Sequence, residues 1–388
     1  MSSSSSANKG LGSGVGAKTR LSDVRGDIGQ LIYCGYDINE LAGKATYEEV
    51  VFLLYHNHLP SAQELAEFKE TLIGFRDLPQ AVVNVIQRLP KSAPPMHALR
   101  TLVSLLGCGH PVLLDTYLGC YDTTAEDASV DYQRRKALRL IAQVPVIVAY
   151  FHRARSEQPL VPPDPALGEA ANFLWMITGE KPSEEAVNTL DVCYVLHADH
   201  GMNASTFSAR VTIATLSDMY SAITSAIGTL KGPLHGGANE GVIKMLQEIG
   251  SLDKVDAYIE DALAQKKKIM GIGHRVYKVL DPRAPHLKKM AQQLCGKLGD
   301  PKWIQMSERI ADLMLEKKGL HANVDFYSAT VYWSLGIPTD LFTPIFAIAR
   351  TSGWTAHVLE QLSDNRLIRP QSEYTGPLGL KFTPIGAR

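Results

Sequence analysis

One pattern, repeated along most of the chain, limits its fold more than any other feature. Apolar residues recur every three to four positions, each run opened by a small polar residue and closed near glycine or proline. Thr46 with Glu49 and Ser61 with Glu64 each carry the Ser/Thr-x-x-Glu signature of a capping box ahead of such a run. The same period predicts helices over 134–152, 166–178, 183–199, 204–227, 238–249, 253–267, 284–297, 303–318, 324–335 and 339–360. The helix after Ser61 must stop before Pro79, and Gly201, Gly228, Gly250 and Gly336 stand where left-handed caps form easily. Strand-like alternation occurs once, in "TRLSDVRGDIGQLIY", where a Gly/Asp turn predicts one short hairpin. The last stretch, "RPQSEYTGPLGLKFTPI", predicts extended chain, and no repeat of 20–50 residues suggests a solenoid. The expected fold is all-α with a short N-terminal β-hairpin.

With 388 residues, 45% of them hydrophobic, the chain can bury a sizeable core as one large domain or two. A formal net charge of -1 gives no general attraction to nucleic acid or acidic membranes, so an anionic ligand needs a local basic cluster. The five cysteines are scattered without a CxxC pair, which argues against a thiolate metal site and for a reducing, cytoplasmic setting. No run of about eighteen apolar residues predicts a membrane span. The Ser/Gly-rich start, residues 1–18, is expected to be a flexible terminus. The helix in "SDMYSAITSAIGTL" is rich in small residues, which fits close packing in a core or across a subunit seam.

Five clusters carry chemistry. In "LHADHGMNAST", His197 and His200 share a helix face; they are structural polar histidines or, with a third ligand, part of a zinc site, and Asp199 points elsewhere by helical phase. In "GPLHGGANEGV", His235 precedes a helix start whose positive end keeps the ring neutral; such a ring packs on backbone or donates to an oxygen gaining charge. "KKKIMGIGHRVYKVLDPRAPHLK" combines three lysines, two glycines around Ile272, then His274, Arg275, Lys278 and Arg283, as an exposed loop that a phosphorylated ligand could approach. Asp325, in the first turn of "NVDFYSATVYWSLGIP", either compensates the helix dipole or is a carboxylate base against apolar walls. Arg350 interrupts the apolar "PIFAIAR" and Arg369 opens the tail; a buried guanidinium needs an anion, and its fork suits a carboxylate. Together these groups fit a small polycarboxylate whose carbonyl is polarised while a neighbouring carbon loses a proton.

These five pieces, in this order and spacing, resemble the citrate synthase family from about residue 20 to the end. The resemblance implies a mostly helical homodimer, of the short type without an N-terminal regulatory domain, that joins acetyl-CoA to oxaloacetate and hydrolyses the citryl thioester. It implies a large domain, 19–228 with 336–388, and a small domain, 229–335, that closes over substrate. It makes Asp325 the base for the acetyl methyl, His235 the neutral donor to the enol oxygen, and His274 the group that polarises the oxaloacetate carbonyl. The glycines beside His235 would then leave room for the thioester. His200, Arg283, Arg350 and Arg369 become oxaloacetate ligands, with Arg369 reaching across the dimer. Lys268, Ile269, Met270, Gly271 and Ile272 resemble the coenzyme A segment, and the upstream lysines, with Lys317 or Lys318, would meet its phosphates. No metal and no tightly bound cofactor is implied; coenzyme A enters as a thioester co-substrate. Two positions depart from the family: Cys34 stands where arginine is common, and Ile272 replaces an aromatic or small residue. The nearest rival is 2-methylcitrate synthase, which uses propionyl-CoA with the same catalytic set but tends to show "YAEH" and "GHPVY" where this chain has "LHADH" and "GHRVY". One methylene discriminates by only about 1–3 kcal/mol, so dual activity is compatible with the sequence.

Overall fold

The computed structural model describes residues 17–108, 130–297 and 300–388. The expected flexible terminus thus lies outside the described residues, except for its last two. Strands β1 (Ser22–Arg25) and β2 (Gln30–Tyr33) form the expected hairpin, with Val24 opposite Leu31. A third strand, β3 (Tyr36–Asp37), adds to β2. Cys34 and Gly35 both have positive φ, 45° and 91°, the two-residue geometry that turns a strand straight back; cysteine hides that signal in the sequence.

The helices are α1 (Ile38–Leu41), α2 (Tyr47–His56), α3 (Ala62–Gly74), α4 (Gln80–Arg88), α5 (Pro95–Leu106), α6 (Val130–Arg155), α7 (Glu169–Thr178), α8 (Glu184–His197), α9 (Ala204–Ala214), α10 (Met219–Leu230), α11 (Ala238–Ile249), α12 (Val255–Ala264), α13 (Ala284–Lys297), α14 (Lys302–Lys318), α15 (Val324–Ser334) and α16 (Phe342–Ser363). Both capping boxes form: Thr46 and Ser61 accept from the backbone of Glu49 and Glu64, whose carboxylates reach back. Helices α4 and α5 are additional to those expected; Pro79 and Pro94 sit at their N-caps, where a missing N–H costs nothing.

The single helix expected over 204–227 is two. Leu216, at φ 62°, ends the first, and the Asp218 side chain caps the second by accepting from Ser221 N–H. Gly228 is accordingly inside α10 and caps nothing. Helix α10 buries Met219, Ala222, Ile223, Ala226, Ile227 and Leu230 in the core.

Helix α16 is the structural centre. It is buried from Phe342 to Val358 and packs against α6, α8, α9 and α10. Helices α11 and α13 pack on α15, and α12 on α14, so the helices from Ala238 to Ser334 make a second group. The hairpin tip clamps the loop that connects that group. A Cβ on Gly26 would lie 2.3 Å from the carbonyl oxygen of Val276, and the Lys278 amide donates to the Gly26 carbonyl at 3.0 Å. After Ser363 the chain runs extended, with Leu378, Leu380, Phe382 and Ile385 each about four-fifths exposed.

Candidate active site

The turn after α8 presents His200. Asn203 fixes it: its Oδ1 caps α9 by accepting from Ser205 and Thr206 N–H, while its Nδ2 donates back to the Gly201 carbonyl. The two histidines of "LHADH" diverge. His197 hydrogen-bonds the Cys193 carbonyl through Nδ1 at 2.7 Å, whereas His200 Nε2 meets the Tyr277 hydroxyl at 3.2 Å. Among the described residues no three His, Cys, Asp or Glu side chains converge as a metal cage.

His274 stands across from His200, with ring centres 5.6 Å apart. Its loop is stapled to the start of α15: Gly273 N–H donates to the His321 carbonyl, Asn323 N–H to the Gly271 carbonyl, and Asn323 Nδ2 to the Gly273 carbonyl, at 2.7–2.9 Å. The amides of Val276 and Tyr277 both donate to His274 Nδ1, at 3.0 and 3.1 Å. An amide can only donate, so Nδ1 is bare and the ring proton sits on Nε2. Burial, then Arg283, pulls the pKa of His274 down to about 4, so this N–H stays on a neutral ring. A cavity of about 190 Å³ opens beside it, lined by Lys278, Asp281, Leu320 and His321 among others.

The glycines of this loop do not make an exposed turn. Gly271 is buried at φ 73°, and a Cβ there would lie 2.7 Å from Val242 and 2.9 Å from Phe326. Ile269 and Ile272 are core residues, so of the expected coenzyme segment only Lys268 is fully exposed and Met270 partly so. Gly271 marks tight packing, which sequence cannot distinguish from room for a ligand, whereas a Cβ on half-buried Gly273 would meet only Leu320, at 3.8 Å.

His235 lies just before α11, as expected, and its Nε2 is 2.8 Å from Ser205 Oγ. That hydroxyl also accepts from Trp354 Nε1 at 3.0 Å and lies 2.7 Å from Asn203 Oδ1. Burial first, then Arg350, lowers the His235 pKa to about 4; the ring is neutral as expected, but burial is the main cause. The adjacent glycine serves packing here too. A Cβ on Gly236 would fall 2.6 Å from the Leu230 side chain, so it accommodates Leu230 rather than a ligand.

Asp325 occupies the first turn of α15, whose N-cap is Asn323. Its Oδ1 is enclosed without a hydrogen-bond partner, although the residue as a whole is only half-buried. Burial raises its carboxyl to about 7, against the pull of Arg283. The arginines are tethered elsewhere by one edge. Arg283 pairs with Asp281 through Nε (2.9 Å) and Nη2 (2.8 Å), and Arg350 donates from Nε to the His197 carbonyl at 2.6 Å. Arg350 is 1% exposed, yet its Nη2 has no partner. Burial first, then Arg283 and Arg350, depresses the pKa of His200 well below the usual value. Arg369 is not among them: it lies exposed on the tail. Sequence reading missed Ser205, Trp354, Tyr277 and Asp281, all common core or cap residues with no local pattern to mark them.

Fold and site together define an all-α protein whose cleft sets neutral imidazole donors and unpaired guanidinium beside a bare, desolvated carboxyl. A family model described as citrate synthase, C-terminal domain, matches residues 10–371. "Citrate synthase 2" of Bacillus subtilis is 49% identical over 383 residues, covering 98% of this chain and 99% of its own. "Citrate synthase" of Haloferax volcanii is 48% identical over 385 residues, 98% of both chains. "2-Methylcitrate synthase 2" of Corynebacterium glutamicum matches at 41%. The crystal structure of citrate synthase from Thermotoga maritima superposes with a TM-score of 0.86 at 38% identity, covering 98% of this chain and 99% of that one. The chain belongs to the citrate synthase family.

Proposed function

We propose that this chain condenses acetyl-CoA with oxaloacetate and hydrolyses the resulting citryl-CoA to citrate and free coenzyme A. The observation that carries this is the bare Asp325 carboxyl set among neutral rings, each with a fixed hydrogen-bond partner. A thioester methyl is a weak acid. Asp325 takes one of its protons as His235 donates a hydrogen bond to the thioester oxygen, which holds the enol; such a fixed donor contributes about 3–4 kcal/mol. When the Ser205 hydroxyl donates to His235 Nε2, the ring proton lies on Nδ1 and serves as that donor. The enol carbon then attacks the oxaloacetate carbonyl, whose developing alkoxide accepts a hydrogen bond from His274 Nε2–H and is protonated, through solvent, by the proton that Asp325 removed. Water finally cleaves the thioester, releasing the coenzyme thiol.

His200, Arg350 and the free side of Arg283 hold the oxaloacetate carboxylates, and Lys268 with Met270 and the adjoining loop receive coenzyme A. The helices of 229–335 form the domain that closes over both substrates and excludes water. Arg369 acts on a second copy of the chain: the exposed tail around it carries large apolar residues that its own chain leaves uncovered, and a homodimer would cover them. The chain acts in the cytoplasm, and no described helix is long and apolar enough to cross a membrane. Acetyl-CoA is favoured over propionyl-CoA because the more similar relatives carry the citrate synthase name. The test is oxaloacetate-dependent release of free thiol, with acetyl-CoA and propionyl-CoA compared side by side. Faster turnover of propionyl-CoA moves the chain to the methylcitrate branch, and no release with either overturns the reading.

A further inference from the structure

Behind the oxaloacetate histidine lies a buried polar chain that touches no substrate. Asp199, next to His200, is fully buried, and its Oδ2 accepts from Ser22 Oγ, from Gly201 N–H at 3.3 Å and from His357 Nε2 at 3.2 Å. On the far side of the same imidazole, Arg210 Nη1 lies 3.2 Å from Nδ1 and also pairs with Glu360 at 2.8 Å. Arginine can only donate, so Nδ1 accepts and the ring proton faces Asp199. Burial alone would raise the Asp199 carboxyl; His357, with Arg350 and Ser22, holds it below its ordinary value instead.

The geometry ties this chain to both oxaloacetate ligands on the large group of helices. Helix α16 carries Arg350, Gly353 and His357 on one stripe, at i, i+3 and i+7. Arg350 grips the His197 carbonyl, and Gly353 N–H donates to the Ala198 carbonyl at 3.0 Å. A Cβ on Gly353 would come within 2.4 Å of that carbonyl oxygen and 2.6 Å of Asp199 Oδ1, so the turn sits directly on the helix backbone. The 197–201 turn is therefore held at three successive points of α16, and His357 is the last of them.

We propose that His357 is a positioning residue for oxaloacetate binding: relayed from Arg210 and closed on Asp199, it fixes the turn that aims His200 and anchors Arg350. This rests on the assignment of His200 and Arg350 as oxaloacetate ligands. The requirement is specific in its polarity. The group at 357 must accept on one side and donate on the other, which a neutral imidazole and a carboxamide both do and a hydrocarbon does not.

The experiment measures oxaloacetate affinity by calorimetry, together with KM for each substrate, in wild type, H357L, H357Q and S22A. The expected result is oxaloacetate binding weakened about tenfold in H357L with KM for acetyl-CoA held within about twofold, near-complete recovery in H357Q, and an intermediate loss in S22A. Wild-type oxaloacetate affinity in H357L overturns the proposal, as does a loss in H357Q equal to that in H357L, which would mean that ring packing alone matters. If H357L does not fold, S22A decides, since it removes another donor to Asp199 at a position that tolerates a small side chain; unchanged affinity there overturns the proposal. Wild type that fails to bind oxaloacetate would instead overturn the substrate assignment, and the inference with it.

Discussion

Two buried clusters in this chain use the same ingredients, carboxyls and arginines, to opposite ends. At the junction of α2, α3 and α7, Arg76 closes on Glu169 through Nε and Nη2 (3.2 and 2.8 Å) and on the carbonyls of Asp164 and Leu167 (2.9 and 2.8 Å); Glu48 caps α7 by accepting from Glu169 N–H. Around Asp325, Arg283 and Arg350 are tied instead to Asp281 and to the His197 carbonyl. Glu169 and Asp325 are both raised to about 7, burial being the first cause in each, and each has one oxygen without a partner. A shifted carboxyl is therefore no mark of a catalytic site. What separates the two regions is whether the neighbouring arginine is closed on the acid or tied to other groups.

The sharpest way to break that distinction is to neutralise each acid's environment and see which property fails. Asp325→Asn is expected to lower kcat about a thousandfold, as loss of a general base does, without lowering the melting temperature. At pH 8 the melting temperature should rise, because the amide removes a charge that the fold disfavours. Thiol release and thermal unfolding measure the two effects, and a variant that keeps wild-type turnover would deny Asp325 its role. Arg76→Met should do the reverse. It leaves Glu169 buried without its partner, which costs about 3–5 kcal/mol by denaturant titration, while kcat of the folded fraction stays at the wild-type value. A fall in kcat beyond the loss of folded protein would make the two clusters one.

Acidity should pull the two functions apart in the same way. On the proposed mechanism Asp325 works as the carboxylate, so kcat/KM is expected to rise with pH, level off above about 7, and fall about a hundredfold two units below. His235 and His274 titrate near 4 and add no limb in that range. Stability runs the other way. A carboxyl whose folded pKa is raised contributes stability that is present below the ordinary carboxylate range and lost as pH rises through about 7, and this holds for Glu169 and Asp325 alike. The melting temperature should therefore be higher at pH 5.5 than at pH 8 by the contribution of these groups, and Asp325→Asn should flatten part of that slope. A wild-type profile without a limb near 7 would deny Asp325 its raised pKa.

How much of this was legible in the sequence depends on how local each signal is. The caps at Thr46 and Ser61, the helix period and the residues His200, His235, His274, Asp325 and Arg350 could be read directly, because caps and motif spacing act within a few positions. The break at Leu216 was not legible: a leucine at positive φ carries no warning, and Asp218 reads as an ordinary surface acid until its side chain is seen capping α10. The glycines at 236 and 271 were misread for a related reason, since the atoms that require them, on Leu230, Val242 and Phe326, are supplied by packing that motif spacing does not reveal. Asp199 was placed correctly as pointing away from its histidine neighbours, but its partners Ser22 and His357 are 177 and 158 residues distant.

Ser205 offers the finest discrimination between the two regions, because it changes one hydrogen bond and no charge. Its hydroxyl has a single proton and two acceptors within reach, Asn203 Oδ1 at 2.7 Å and His235 Nε2 at 2.8 Å. Asn203 Oδ1 can only accept, so at 2.7 Å the hydroxyl donates to it, while Trp354 N–H and His235 Nε2 meet the two lone pairs of the same oxygen. Asn203 Oδ1 is meanwhile supplied by two backbone amides at 3.1 Å. The proposed mechanism requires the serine proton to turn to His235 Nε2, which puts the ring proton on Nδ1 for the thioester. Ser205→Ala removes that donor, so kcat should fall about tenfold while KM for oxaloacetate stays within about twofold. A polar bond in the Arg76 cluster, when cut, should weaken folding; this one should weaken only the step that forms the enol. A solvent-exchange assay of the acetyl methyl protons isolates that step, and equal exchange rates in Ser205→Ala and wild type would remove Ser205 from the mechanism.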